Sequence, residues 1–87
     1  MLPKLLKLKE VAALRNVGLT RLDAEINDDL MPPKVVIGRN VYLPADEVDV
    51  VITARIAGQS DKQIRSLVRH LMLLRQERAD AIKADVA

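Results

Sequence analysis

Cysteine, phenylalanine and tryptophan are absent from the 87 residues; Tyr42 is the only aromatic side chain and His70 the only histidine. Without cysteine there are no disulfides and no thiolate sets of the zinc-finger kind. One histidine leaves no His-based metal site and no histidine pair for catalysis. The missing rings argue against single-stranded nucleic acid as a ligand, because unpaired bases stack on aromatic platforms. A core must then be built from Leu, Val, Ile and Ala, which suits helices packed at short distances.

Other absences narrow the reading further. No apolar run is long enough to cross a membrane. Met1-Leu2-Pro3-Lys4 does not begin a secretory leader, because no uninterrupted apolar segment follows the first lysines. The cytoplasm is the expected location. No phosphate-cradling glycine loop occurs, and neither Ser60 nor Ser66 has an evident base, so neither an enzyme nor a cofactor is expected.

What is present is a short globular chain, 49% hydrophobic and 30% charged, with a formal charge of +2. That charge is too small to identify a partner; its distribution says more. Residues 1–43 carry seven Lys/Arg against five Asp/Glu, and residues 44–87 carry seven against seven. Lys62, Arg65, Arg69, Arg75 and Arg78 share their segment with a single acid, Glu77. That cluster is either a solvated helix face or a phosphate-contacting one.

The organising stretch runs from Leu8 to Leu43. A first helix is predicted from about Lys9 to Arg15, with Leu8, Val11 and Leu14 on one face. Asn16-Val17-Gly18 interrupts it with residues that tolerate a left-handed backbone. A second helix follows from about Leu19 to Asp29, with Leu22, Ile26 and Leu30 as its apolar stripe; Thr20 and Asp23 form a capping box if it starts late. Pro32-Pro33 is expected to end it. Val35-Val36-Ile37 and Val41-Tyr42-Leu43 flank Gly38-Arg39-Asn40 as a β-hairpin that needs the helices for support.

Pro44 suits the first turn of a third helix, about Ala45 to Ala57, with Val48, Val51, Ile52 and Ile56 apolar and Gly58 as its stop. Ser60-Asp61-Lys62-Gln63 is a capping box opening a fourth helix through about Ala84. The chain thus reads as mainly α with a small β-hairpin: a winged helix-turn-helix over residues 1–58 and an amphipathic extension over 59–87. Ile64, Leu67, Leu71 and Leu74 in that extension either pack on the domain or form a self-association seam for a homodimer or larger assembly.

LKLKEVAAL, the helix after it, and MPPKVVIGRNVYLPADEVDVV resemble the AlpA family of prophage transcriptional regulators, relatives of excisionases with a MerR-like winged helix. The tail ARIAGQSDKQIRSLVRHLMLLR resembles the extension found in many such proteins, so the likeness covers about residues 5–76. It implies a DNA-binding regulator of a prophage or mobile element that activates or represses nearby genes, or bends DNA to direct excision. The second helix would be the recognition helix and the hairpin the wing. The family's small polar and basic run falls, without gaps, on Gly18, Leu19, Thr20 and Arg21, and its aromatic position on Asp23. A gapped alignment shortens the helix, but both leave Thr20 and Arg21 at the end that faces DNA.

The expected contacts follow. Arg21 would hold a base edge bidentately, with an ion pair to Glu25 as its competing role. Thr20 would donate to a phosphate or base edge, or cap the helix. Arg15 and Lys34 would hold backbone phosphates, and Arg39 and Asn40 at the wing tip would reach the minor groove or backbone. Asp23, Glu25, Asp28 and Asp29 make the recognition helix net negative, so they must face away from DNA, accept from a cytosine, or weaken binding. In the competing reading, the acidic second helix and the leucine-rich fourth would bind a protein such as a recombinase.

Overall fold

The computed structural model describes residues 4–86, with side chains as far as Lys83. The reading of Met1-Leu2-Pro3 as no leader, and the outer ends of the two predicted ranges, lie outside the described residues. The elements are β1 (Leu5–Lys7), α1 (Leu8–Arg15), α2 (Leu19–Asn27), β2 (Val35–Ile37), β3 (Asn40–Pro44), α3 (Ala45–Ile56) and α4 (Asp61–Val86). The protein is mainly helical, with one small antiparallel sheet ordered β1–β3–β2.

The third strand is the main departure from the sequence reading, which placed only a two-stranded hairpin and no strand before the first helix. Leu6 lies opposite Leu43, and Lys7 opposite Tyr42. The Ala45 N–H donates to the Lys4 carbonyl at 2.8 Å, extending the pairing past the strand ends. Leu6 and Leu43 are buried on the core face, while Leu5 and Lys7 point outward, the alternation expected of a sheet with one wet face. A hairpin alone is marginal; the extra strand on β3 gives the wing a third member anchored directly to α1.

The hairpin turn is tighter than expected. Ile37 pairs with Asn40, so only Gly38 and Arg39 form the loop, and Gly38 takes φ 62°. Glycine at the first central position is the requirement of a II′ hairpin turn.

Three helices end in the same way. Asn16 (φ 56°), Asp29 (φ 59°) and Gly58 (φ 87°) are left-handed residues just past α1, α2 and α3. Each is followed by a residue whose N–H reaches back to the last turn: Val17 to Ala12, Leu30 to Glu25 and Gln59 to Ala54, at 2.8–3.1 Å. This Schellman closure satisfies carbonyls that helix ends leave open. It ends α2 at Asn27, two residues earlier than predicted and before Pro32-Pro33. Asn16, not Gly18, supplies the left-handed bend between α1 and α2; Gly18 is an extended N-cap. The helix therefore starts at Leu19, and Thr20 is inside its first turn rather than capping it.

One hydrophobic cluster joins Leu6, Val11, Ala12, Leu22, Ile26, Met31, Leu43, Val48, Val51, Ala54, Ile64, Val68 and Leu71. It runs across the 58/59 boundary, so the first half of α4 contributes to the same core as the winged unit. Burying thirteen mostly aliphatic side chains supplies the main drive to fold, at about 25 cal/mol per Å² of apolar area. Two predicted core positions lie outside it. Leu14 is 61% exposed and Ile56 82%, because each projects off the buried face of its helix, which Val11 and Ala12 define in α1 and Val48, Val51 and Ala54 in α3. Ala12 and Ala54 take the buried places instead.

The capping box at the start of α4 forms as the sequence indicated. The Ser60 N–H donates to Gln63 Oε1 at 2.9 Å, and the Gln63 N–H donates to Ser60 Oγ at 3.3 Å. Among the described residues no helix is long and apolar enough to cross a membrane.

Candidate nucleic-acid interface

α2 buries Leu22, Glu25 and Ile26 against the body. Its 3.6-residue period therefore turns Thr20 and Ala24, both exposed, away from the core. Leu19 and Asp23, one turn apart, face the wing. Between them and the sheet lies an open groove of about 320 Å³, lined by Lys7, Leu8, Lys9, Leu19, Asp23, Asn40, Val41 and Tyr42. Leu8, Leu19, Val41 and Tyr42 make its apolar surface; Lys7, Lys9 and Asn40 supply polar atoms. Tyr42 is half-buried, as sheet packing requires.

Two of the four acids expected on α2, Asp23 and Glu25, are answered within the protein. Arg15 Nη2 donates to Glu25 Oε2 at 2.6 Å, with Glu25 only 4% exposed. The other Glu25 oxygen is buried with no hydrogen-bond partner. The pair is therefore monodentate, and without Arg15 the carboxylate would be buried and uncompensated. Lys34 Nζ lies 2.9 Å from Asp23 Oδ1, a charge pair without the alignment of a hydrogen bond. Asp28 and Asp29 belong to the turn after the helix, where the Asp28 carbonyl accepts from Arg65 Nε at 3.0 Å.

The six expected contact residues consequently separate. Asn40 lines the groove, with Arg39 beside it in the exposed turn. Thr20 is exposed on the outer face. Lys34 is at the groove edge, held by Asp23. Arg15, expected to meet a phosphate, instead neutralises Glu25 from a half-buried position. Arg21 does not pair with Glu25; it lies on the flank nearer the α4 N-terminus. There Asp61 is held below the usual carboxylate range, chiefly by its hydrogen bond from Arg55, with smaller contributions from the charges of Arg55, Arg65 and Arg21. The 2.8 Å Arg55 Nη1 to Asp61 bond is fully on the surface of that flank.

Two members of the basic cluster of α4, Arg65 and Arg75, are structural, while Lys62 and Arg69 are exposed without an ion pair among the described residues. Arg75 Nε donates to both Glu47 oxygens at 2.8 and 3.1 Å, and its Nη2 donates to the Pro33 carbonyl at 2.9 Å. Arg65 holds the end of α2, and Arg78 is 3.7 Å from Asp46. The four leucine-type positions expected to form a seam also divide. Ile64 and Leu71 are buried in the core and Leu67 packs against it, while Leu74 is 38% exposed. Ile64 and Leu71 are therefore not available to a second copy. His70 is exposed beside Lys62, Gln63 and Ser66.

Lys7 and Lys9 are groove residues that the sequence reading did not select. Their signal was the alternation Lys7-Leu8-Lys9, but its meaning depends on β1, which pairs Lys7 with Tyr42 of β3, and on the first turn of α1, which brings Lys9 to the same groove. Lys7, Lys9, Arg21 and Arg39 form no ion pair among the described residues. Among those residues, no three His, Asp or Glu side chains converge as metal ligands would. No protein-family model matches the chain, and neither a curated protein nor a solved structure matches it.

Proposed function

We propose that this protein is a sequence-specific binder of double-stranded DNA, acting in the cytoplasm as an AlpA-like regulator of a prophage or mobile element, in transcription, excision or both. The observation that carries the reading is the division of charge around α2. Asp23 and Glu25 are each matched by a cation of the protein's own, while among the described residues Lys7 and Lys9 are left unpaired on the open groove, Arg39 in the turn beside it and Arg21 on the neighbouring flank. A helix that is acidic by count is thereby prevented from repelling phosphates. The exposed first turn of α2 would enter the major groove, with Thr20 and Arg21 toward base edges. The Gly38-Arg39 turn and Asn40 would meet the flanking backbone or minor groove, and Lys7 and Lys9 the intervening phosphates.

Fluorescence anisotropy tests this with duplex DNA from beside the protein's own gene and a scrambled duplex, each at two salt concentrations. Binding should be tighter to the native duplex and should weaken steeply with salt. Arg21→Ala should lower the preference between duplexes, and Arg39→Ala should weaken both while reducing the salt slope by about one. Equal, weak, salt-insensitive binding to both duplexes would remove the reading.

A second reading is favoured by the far half of α4. Leu74 and Ile82 are exposed there, and Ile82 continues the stripe of Ile64, Val68 and Leu71 past the edge of the core. Such a surface suits an apolar partner, a recombinase or a second copy of the chain, and its binding would barely respond to salt.

A further inference from the structure

We propose that the groove between α2 and the wing reads the C5-methyl group of a thymine in duplex DNA, with Leu19 as the reading side chain; this rests on the DNA-binding function proposed above. Leu19 is the first residue of α2 and is 44% exposed, although it is a large aliphatic group on a surface otherwise rich in charge. It faces Leu8, Val41 and Tyr42 across the groove, so the surface offered to a ligand there is chiefly apolar. The nearest carboxylate on the same helix face, Asp23, is engaged by Lys34.

A leucine neither donates nor accepts a hydrogen bond, so it cannot distinguish the polar edges of the bases. The major groove presents one apolar group, the thymine methyl, and contact with it is an established means of base discrimination. The choice of DNA over an apolar protein segment comes from the cations beside the groove. Lys7 and Lys9 line it without an ion-pair partner among the described residues, and Asn40 adds an amide from the wing. An apolar strip flanked by ammonium groups complements a methyl group set between two phosphate chains. It is poorly matched to a partner helix, whose approach would leave those cations desolvated.

The test begins with 30-base-pair duplexes carrying a random core, selected on the full-length protein. The enriched duplex is resynthesised with deoxyuridine in place of each thymidine in turn, which removes only the methyl group. At one or two positions the deoxyuridine duplex should bind about fourfold more weakly, the value for losing one buried methyl-sized group. Leu19→Ala and Leu19→Gln should bind the two versions within about 1.5-fold of each other, their thermal midpoints unchanged because the site is exposed. Lys9→Ala should instead weaken both versions equally and lower the salt slope by about one.

Discrimination that survives both Leu19 substitutions, or a wild type that does not distinguish thymidine from deoxyuridine, would overturn the assignment while leaving DNA binding intact. Failure to enrich any duplex would overturn DNA binding and the methyl reading together. In that case Lys9→Ala would also have no effect on binding.

Discussion

The two flanks of this molecule use the same residue types in opposite ways. On the α3–α4 flank, three arginines are committed, Arg75 to Glu47 and the Pro33 carbonyl, Arg65 to the end of α2, and Arg55 to Asp61, while Arg69 has no ion pair among the described residues. On the α2–wing flank, Lys7, Lys9 and Arg39 are unpaired among the described residues. Cationic charge therefore has no single meaning along this chain. Where a carboxylate or a helix-end carbonyl is brought within reach, the arginine joins two elements. Where none is, the charge remains available to a ligand. The segment richest in arginine, α4, ties the fold together through Arg65 and Arg75, and the groove is the better candidate for phosphate because its free lysines stand between α2 and the wing.

The contrast can be broken most sharply at Arg75. Its fork holds Glu47, which is 6% exposed, so Arg75→Ala would strand a buried carboxylate. A loss of about 3 kcal/mol in unfolding free energy is expected from urea denaturation. The same substitution at Lys9 or Arg39 should change stability by no more than about 0.5 kcal/mol. A similar small loss at Arg75 would show that its charge is as free as theirs.

Arg15 is the intermediate case, because it sits at the foot of α2 but behaves like the far flank. Its bond to Glu25 is single, and the arginine is 27% exposed. Arg15→Ala should cost about 2 kcal/mol, less than Arg75→Ala because Arg15 makes one hydrogen bond where Arg75 grips both Glu47 oxygens and the Pro33 carbonyl. Arg15→Ala combined with Glu25→Leu should recover most of that loss, since no carboxylate then remains to be compensated. If the double variant were no more stable than the single one, packing by the arginine stem would be the larger contribution.

The smallest effect is at Asp61. Its carboxyl is lowered in the folded protein, chiefly by the Arg55 hydrogen bond, so the folded state holds its proton less tightly than the unfolded state. That contribution is present above the ordinary value of 3.8 and is lost as pH falls through the lower folded value. Thermal midpoints followed from pH 5 to pH 2 should fall slightly less steeply in Asp61→Asn than in wild type. Parallel curves would mean that this exposed pair adds nothing to stability.

Much of the framework was legible because it depends on short-range chemistry. The Ser60–Gln63 box, the hairpin around Gly38 and the stop at Gly58 each follow from residues within a few positions of one another. β1 was not legible. Three residues, Leu5-Leu6-Lys7, become a strand only because Leu43 and Tyr42 arrive from the other side of two helices. Without that strand, Lys7 and Lys9 had no visible relation to α2. The same limit applied to Arg15, whose partner could be any acid that folding brought near; in sequence Glu25 was a partner only for Arg21, four positions away on the same helix, as the alternative to a base contact. Leu14 and Ile56 fit the spacing from Val11 and Ile52, but spacing does not say which side of a stripe faces the core, and folding chose the side of Ala12 and Ala54.

By itself, then, the sequence determined the mainly helical class, the order of helix, turn, helix and hairpin, and most of the element boundaries. These rest on backbone preferences and on apolar spacing, which act locally. Tertiary structure decided which cations are bound internally and which face the groove, and which half of α4 belongs to the core. Those outcomes depend on distances between residues far apart in the chain, where Coulomb attraction and burial act only after the elements have met.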